Sequence, residues 1–94
     1  MTGDASYAFT YAGVHEAPSA SGLYTIYSPK RWIYVGDNDD IRQSLYQLLN
    51  DSAWMDRFGP LSFSFERMNA AGRAVCQQQL VRALKPVRHS DAAS

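Results

Sequence analysis

Residues 22–36 read GLYTIYSPKRWIYVG and contain two runs of β-forming residues, separated by Pro29 and Lys30. Two such runs around a short turn predict a tight antiparallel hairpin. Tyr24 and Tyr34 lie on its two arms, and side chains alternate between the faces of a strand. The length of the turn therefore decides whether the two phenols share a face.

Two kinds of register are open for this hairpin. A loop of two or four residues centred on Pro29 and Lys30 would pair Thr25 with Tyr34 and put the two tyrosines on opposite faces. A loop of three residues at 28–30, or of five, would pair Tyr24 with Tyr34 on one face. Only the odd loop would bring both hydroxyls into a joint site.

The next segment, residues 37–50, reads DNDDIRQSLYQLLN and predicts a helix, because its apolar residues recur at helical spacing. Asp37 or Asn38 is expected to cap the first turn. The acidic run at 37–40 is interpreted as a helix start that complements the helix dipole, with a metal site as the alternative.

The remaining chain supplies further elements on either side of this unit. Residues 7–14 predict a strand, 51–60 a short turn or frayed helix, and 61–68 a half-buried strand with alternating apolar residues. A last helix is expected over Ala70–Leu84, ended by Lys85 and Pro86, with Cys76 as a small core residue. Residues 87–94 predict a mobile polar tail. This order indicates an α+β fold: a small, mainly antiparallel sheet of three core strands plus the N-terminal strand, flanked by helices.

Length and composition limit the classes of protein to which the chain can belong. A chain of 94 residues, 46% hydrophobic, is expected to form one domain over residues 1–94. Its single cysteine excludes an internal disulfide or a multi-cysteine zinc site, and no apolar run approaches the length of a membrane span. The first residues lack the pattern of a signal peptide, so a cytoplasmic location is expected and a membrane partner is not.

Charge is balanced overall and segregated along the chain. The charges of nine basic and nine acidic residues cancel, which argues against nucleic-acid binding driven by the net charge of the chain. Residues 37–56 nevertheless carry most of the acids, whereas residues 67–88 carry bases and no acid. The basic half would either face phosphates or form the solvated face of a helix.

The motifs now identified resemble those of the GIY-YIG nuclease domain. Gly22-Leu23-Tyr24 and Tyr34-Val35-Gly36 match the two halves of that name. The helix after them, the strand at 61–67 and a later helix ending in Lys-Pro follow in the same order as in the family. The resemblance covers residues 21–89 and implies the family's α+β fold.

The resemblance also implies a set of site positions. Members of the family cut phosphodiester bonds, with a tyrosine near the attacking water, an arginine on the first helix that contacts phosphate, and a glutamate on the later helix that holds one divalent metal. Here Tyr24 and Tyr34 match the tyrosines, but the arginine position falls on Ser44 and the glutamate position on Gln77. An asparagine that often follows the final Lys-Pro corresponds to His89.

Both replacements weaken the electrostatic part of the chemistry. Serine cannot offer a guanidinium fork to phosphate, and glutamine lacks the charge that a hard divalent cation prefers. By analogy with deleting one charge-stabilising donor, each loss corresponds to about 2–4 kcal/mol of transition-state stabilisation. Arg73 for phosphate, and Asp37 or Glu66 for Mg²⁺, are the residues that would rebuild an active site.

The sequence therefore predicts a GIY-YIG-like domain with a vestigial site and no cofactor, which binds nucleic acid, such as DNA, or a protein. The alternative is a Mg²⁺-dependent endonuclease with a rearranged site. A protein partner or homodimer would use exposed aromatics in residues 52–58. A nucleic-acid surface would join two tyrosines to basic residues: Tyr24, Tyr34, Arg42, Arg73, Arg82, Lys85 and Arg88.

Overall fold

A computed structural model of the protein describes residues 6–51 and 53–89. Its five strands form one sheet in the order β1-β4-β2-β3-β5, in which only the β3–β5 pair is parallel. The strands are β1 (Tyr7–Ala8), β2 (Gly22–Tyr27), β3 (Trp32–Asn38), β4 (Ser62–Arg67) and β5 (Arg88–His89). The helices are α1 (Tyr11–His15), α2 (Ile41–Asn50) and α3 (Ala70–Leu84), with a 3-10 helix at Ala53–Phe58. The predicted α+β fold is confirmed.

The hairpin of β2 and β3 contains a β-bulge, which changes its register partway along the strands. Its connection has four residues, 28–31, and Tyr27 pairs with Trp32, as expected for an even loop. The register then shifts by one residue, so Ile26 pairs with Tyr34 and Tyr24 with Gly36. Neither predicted pairing of Tyr34 occurs, and the two tyrosines share a face despite the even loop, because the bulge absorbs one residue.

Ile33 is the extra residue of the bulge, and it is fully buried in the main core. This core lies between the sheet and the first two helices, where Ile26, Ile41, Leu45 and Phe63 are also inaccessible to solvent. Burial of an aliphatic side chain contributes about 1.5–3 kcal/mol. The packing of Ile33 thus gives a physical reason for the bulge.

The other face of the sheet is covered by α3. Leu80 and Leu84 of this helix line a cavity together with Leu23 and Thr25 of β2. Cys76 is half-buried, so the prediction of a core cysteine is wrong. The strands β2 and β3 therefore lie between helices on both sides, and their side chains are held from two directions.

The helix α2 begins later than predicted. Asp40 is its N-cap, and its carboxylate accepts the backbone N–H of Gln43 at 3.0 Å. The expected caps, Asp37 and Asn38, belong to β3, which pairs with β2 up to Asn38. Hydrogen bonding across the sheet thus takes precedence over the local capping signal at these two residues.

The predicted strand at 7–14 is wrong beyond its first two residues. The chain pairs with β4 only at Tyr7 and Ala8 and then forms α1. Thr10 caps this helix by accepting the N–H of Gly13, and a side chain at Gly13 would collide with the carbonyl oxygen of Ala8. The cap and the close approach at glycine therefore override the β propensity of the segment.

The C-terminal segment also departs from prediction. The helix α3 has the expected bounds and is capped at its C-terminal end by Lys85, whose φ of 50° lies in the left-handed region. The next residues do not form a free polar tail, because Arg88 and His89 pair with Tyr34 and Val35 of β3. Residues 90–94 of that predicted tail lie outside the described residues.

The 3-10 helix confirms the short helical turn predicted within residues 51–60, and β4 confirms the alternating strand. In residues 6–51 and 53–89, no helix is long and apolar enough to span a bilayer.

Candidate functional site

Tyr24 and Tyr34 form a stacked pair on one face of the sheet. Their ring centroids are 6.1 Å apart and their planes differ by 10°. Tyr24 is 2% exposed, whereas Tyr34 is half-buried and reaches the surface. The two tyrosines of the motif are thus brought together, but only Tyr34 is accessible to a large ligand.

Gly36 makes room for the Tyr24 ring. A Cβ atom at Gly36 would lie 2.5 Å from both Cζ and the hydroxyl oxygen of Tyr24. Heavy atoms do not approach so closely, so only glycine fits opposite Tyr24 in this register. The glycine of the second half-motif therefore has a packing role that is independent of catalysis.

The hydroxyl of Tyr24 is held by Ser44. The two oxygens are 2.5 Å apart in a buried position. Because α2 starts at Ile41, Ser44 lies on its inner side with Ile41 and Leu45, which are fully buried. The position at which the resemblance expects a cationic side chain thus carries a small neutral partner for the phenol.

Burial raises the pKa of the Tyr24 phenol far above its usual value, and the hydrogen bond to Ser44 opposes only part of this shift. Burial also raises the pKa of Tyr34, and the negative charge of Asp37 raises both. A phenolate at either position is therefore disfavoured at neutral pH.

Arg73 lies in a network with two aspartates. Its Nε donates to Asp37 at 3.1 Å, and one terminal nitrogen lies 2.5 Å from a carboxylate oxygen of Asp39. The same nitrogen donates at 2.7 Å to the hydroxyl of Ser21, which donates in turn to the carbonyl of Met68. Asp37 is therefore the partner of Arg73 and not a helix cap.

Gln77 is 2% exposed on α3 and supplies a neutral amide where the resemblance expects a metal-binding carboxylate. The alternative ligand Asp37 is paired with Arg73, and Glu66 is exposed on β4. Within the described ranges, no three His, Cys, Asp or Glu side chains are placed to hold one ion. The residues present do not fit the divalent cation that the resemblance implies.

The basic residues proposed for nucleic-acid binding fall into separate places. Arg42 donates through Nε to the carbonyl of Ala17 at 2.8 Å, next to α1. Arg82 and Lys85 are exposed at the end of α3. Arg88 lies beside Tyr34 in the sheet, since β5 pairs these two residues.

Trp54 is a residue of this region that the sequence reasoning missed as a site residue. Its ring centroid lies 6.5 Å from that of Tyr34, and the guanidinium carbon of Arg88 lies 4.3 Å from the Trp54 ring centroid. The expected exposed aromatics, Trp54 and Phe58, are half-buried against the core. The spacing of a tryptophan and an arginine in the sequence gave no signal of this contact, which depends on β5.

The fold can now be compared with known proteins. It is similar to the GIY-YIG N-terminal endonuclease domain of UvrC from Thermotoga maritima bound to magnesium, with a TM-score of 0.66 and 19% identity over 79% of this chain and 88% of that chain. A tyrosine-to-phenylalanine variant of that domain aligns with a TM-score of 0.65 and 21% identity, over 79% and 87% of the two chains.

These likenesses establish that the chain has a GIY-YIG-like fold. At such identities they concern the fold alone, so the roles of individual side chains depend on the geometry described above. No family model matches the sequence, and no curated protein matches it.

Proposed function

We propose that this chain is a GIY-YIG-like domain that has lost phosphodiester hydrolysis and binds nucleic acid. The observation that carries the proposal is the buried hydrogen bond between Tyr24 and Ser44. It ties the phenol of the first half-motif to a neutral side chain at the position where a phosphate-binding arginine is expected. The tyrosine framework remains, and its electrostatic partner is missing.

Two further features support the loss of catalysis. Gln77 offers no charge to a divalent cation, and Arg73 is engaged by Asp37 and Asp39 and so is not free to replace a phosphate contact. Hydrolysis at an anionic phosphate needs a positioned base and charge stabilisation of the transition state. Losses of about 2–4 kcal/mol at each of two positions leave little rate enhancement.

Binding is supported by the surface around Tyr34. Trp54 and Arg88 lie next to its half-exposed ring, and combinations of aromatic rings with arginine suit contacts to bases and phosphates. The endonuclease fold of the relative makes a nucleic acid the natural first ligand to test.

Loss of catalysis is tested by incubating the protein with branched, single-stranded and duplex DNA in the presence of Mg²⁺ or Mn²⁺. We expect no cleavage by the wild type or by Tyr34→Phe. Metal-dependent cleavage by the wild type that disappears in Tyr34→Phe would establish the alternative, an active endonuclease with a rearranged site.

Metal binding gives a readout that does not depend on turnover. Calorimetric titration with MgCl₂ and MnCl₂ is expected to show no saturable site. Saturable binding that is lost in Asp37→Asn or Glu66→Gln would mean that these carboxylates rebuild a metal site, and it would contradict the proposal.

Nucleic-acid binding is tested by fluorescence anisotropy with labelled DNA and RNA over a range of salt concentrations. Affinity is expected at low salt and should fall as salt rises, because phosphate contacts release counterions. No measurable affinity for any nucleic acid at low salt would reject this function and favour a protein-interaction module.

A further inference from the structure

Three arginines from three separate parts of the chain converge on two aromatic rings. The guanidinium carbons of Arg31 and Arg57 lie 5.6 and 4.9 Å from the ring centroid of Phe58. The guanidinium carbon of Arg88 lies 4.3 Å from the ring centroid of Trp54, four residues before Phe58 in the 3-10 helix. These five residues define the arginine–aromatic surface.

The sequence separation of the three arginines makes their convergence a property of the fold. Arg31 belongs to the turn of the hairpin, Arg57 to the 3-10 helix and Arg88 to β5. The strand β5 lies beside β3, and the N–H of Val87 donates to the carbonyl of Trp32, the residue after Arg31. The end of the sheet therefore gathers the positive charges into one region.

The guanidinium N–H groups of this surface do not donate to acceptors of the protein itself within the described residues. Over residues 6–51 and 53–89, the guanidinium groups of Arg31, Arg57 and Arg88 make no ion pair and no hydrogen bond, and all three residues are exposed. In contrast, the side chains of Arg42 and Arg73 donate to groups of the protein itself. The donors of these three guanidinium groups therefore remain for a ligand.

Stacking prepares these arginines for an anionic ligand. A ring attracts the face of a guanidinium and leaves its N–H groups, which lie in the plane, directed outward. Side chains held in this way lose less conformational entropy on binding. The arrangement therefore favours a ligand that carries several separated anionic groups.

The local acids do not neutralise this surface. Asp56, the carboxylate of the 3-10 helix, lines a different groove, which it shares with Phe9, Leu49 and Leu61. It makes no ion pair with Arg57 or with another residue in the described part of the chain. The three arginines of the surface therefore carry positive charges that no ion pair of the described residues neutralises.

The surface continues into the tyrosine pair. The Trp54 ring lies next to Tyr34, and the Tyr34 ring stacks on Tyr24, so aromatic side chains follow one another from the arginines to the vestigial site. Half-exposed rings and guanidinium planes offer places on which unpaired bases can stack, and such bases are available in a single strand and not inside a duplex.

We propose that the arginine–aromatic surface binds single-stranded nucleic acid, with Arg31, Arg57 and Arg88 on phosphates and with bases stacked beside Trp54 and Phe58. The inference depends on the proposed function, because it names the strand form and the residues of that binding. DNA and RNA share the required chemistry, so the experiment includes both.

The test uses fluorescence anisotropy with labelled oligothymidylate and oligouridylate, and with a DNA duplex. The variant R31Q/R57Q/R88Q removes three positive charges from the surface. The control variant Q43E/Q47E/Q79E lowers the net charge by the same amount at exposed glutamines outside the surface. We expect at least about tenfold weaker single-strand binding in the first variant and a much smaller change in the control.

The salt dependence reports the number of phosphate contacts. For single strands the slope of log K against log salt is about −0.7 for each phosphate neutralised, so the triple arginine variant should have a slope smaller in magnitude by about 2. Thermal unfolding of both variants shows whether their folds are intact, which we expect because the substituted side chains are exposed.

Tryptophan fluorescence locates the ligand. The chain has two tryptophans, and Trp32→Phe leaves Trp54 as the only one. Addition of a single strand to this variant should change the Trp54 emission in step with the anisotropy. Binding without any change in Trp54 emission would contradict a ligand that stacks beside this ring.

The outcomes separate the two proposals. The arginine–aromatic surface is not the binding site if the triple arginine variant binds single strands as well as the wild type does. The same holds if the double variant Arg82→Gln, Lys85→Gln loses binding instead. In either case the proposed function stands. A preference for duplex over single strands also overturns the surface proposal. If the wild type binds no nucleic acid at low salt, the proposed function itself fails.

Discussion

The hydroxyl of Tyr24 lies 2.5 Å from the hydroxyl of Ser44, and both side chains are buried between the sheet and α2. This contact joins the first half-motif to the helix that follows the second. Its geometry makes Ser44 a structural residue of the present fold, at the position where the resemblance expects an arginine.

Ser44→Ala should lower the free energy of unfolding by about 1–3 kcal/mol, because it leaves the buried phenol of Tyr24 without its serine partner. Chemical denaturation measures this loss. Ser64→Ala is a matched control, since it removes a hydroxyl that bonds Thr25 at 2.9 Å in a half-buried position, and its effect should be smaller. In a double-mutant cycle of Ser44→Ala and Tyr24→Phe, the double variant should lose less stability than the sum of the two single variants. Losses that simply add would contradict coupling between the two hydroxyls.

The raised pKa of the Tyr24 phenol predicts a loss of stability at high pH. A phenol that is harder to ionise in the folded state than in the unfolded chain stabilises the fold fully below the unfolded value of 10.0. This contribution is lost as pH rises from there through the folded pKa. Denaturation at increasing alkaline pH should therefore show a steeper decline for the wild type than for Tyr24→Phe.

Phenolate absorbance provides a second measurement of the same effect. Of the six tyrosines in the chain, Tyr24 should ionise only near unfolding, because burial raises the pKa of its phenol. Early ionisation of Tyr24, identified by comparison with Tyr24→Phe, would contradict the burial described above.

Gly36→Ala should destabilise the protein by about 1–3 kcal/mol, because the new methyl group would overlap the Tyr24 ring. Thermal or chemical unfolding measures the loss. In the background Tyr24→Leu, whose smaller side chain lacks the ring, the same change at Gly36 should cost less. An equal cost in both backgrounds would mean that the strain arises elsewhere.

Arg73→Ala should lower the free energy of unfolding by about 1–3 kcal/mol. It removes the guanidinium that compensates the charge of Asp37, whose side chain is 9% exposed. Asp39→Ala breaks the other ion pair of Arg73, but Asp39 is 84% exposed, so this change should stay within about 1 kcal/mol. High salt should reduce the smaller effect further. Equal losses in the two variants would contradict the expected difference between the buried carboxylate of Asp37 and the exposed one of Asp39.

The elements with strong periodicity could be predicted from the sequence. The strand β4 and the body of α2 follow from apolar spacing, which reflects the face that each element buries, whereas the end of α3 follows from Lys85 and Pro86. The segment at 7–14 was misleading, because the Thr10 cap and the contact at Gly13 outweigh its β-forming residues. Short strands such as β5 carry no periodic signal, and their formation depends on the neighbour with which they pair.

The candidate site could be predicted in part. The motif indicated Tyr24, Tyr34, Ser44 and Gln77 as the positions to inspect, and the first three lie together. The pairing of Arg73 with Asp37 joins residues 36 positions apart, and the contact of Arg88 with Trp54 needs β5 in place. Such contacts are set by tertiary structure, so no local pattern reports them.

The bulge at Ile33 has a consequence for the spacing of the two half-motifs. Because the additional residue is accommodated in the core, Tyr34 keeps its place opposite Ile26 whether or not a residue stands between it and Trp32. The number of residues between the two tyrosines is therefore not a fixed measure of their alignment. A relative shorter by one residue at this point would keep its phenols stacked, and a search that insists on one spacing would miss it.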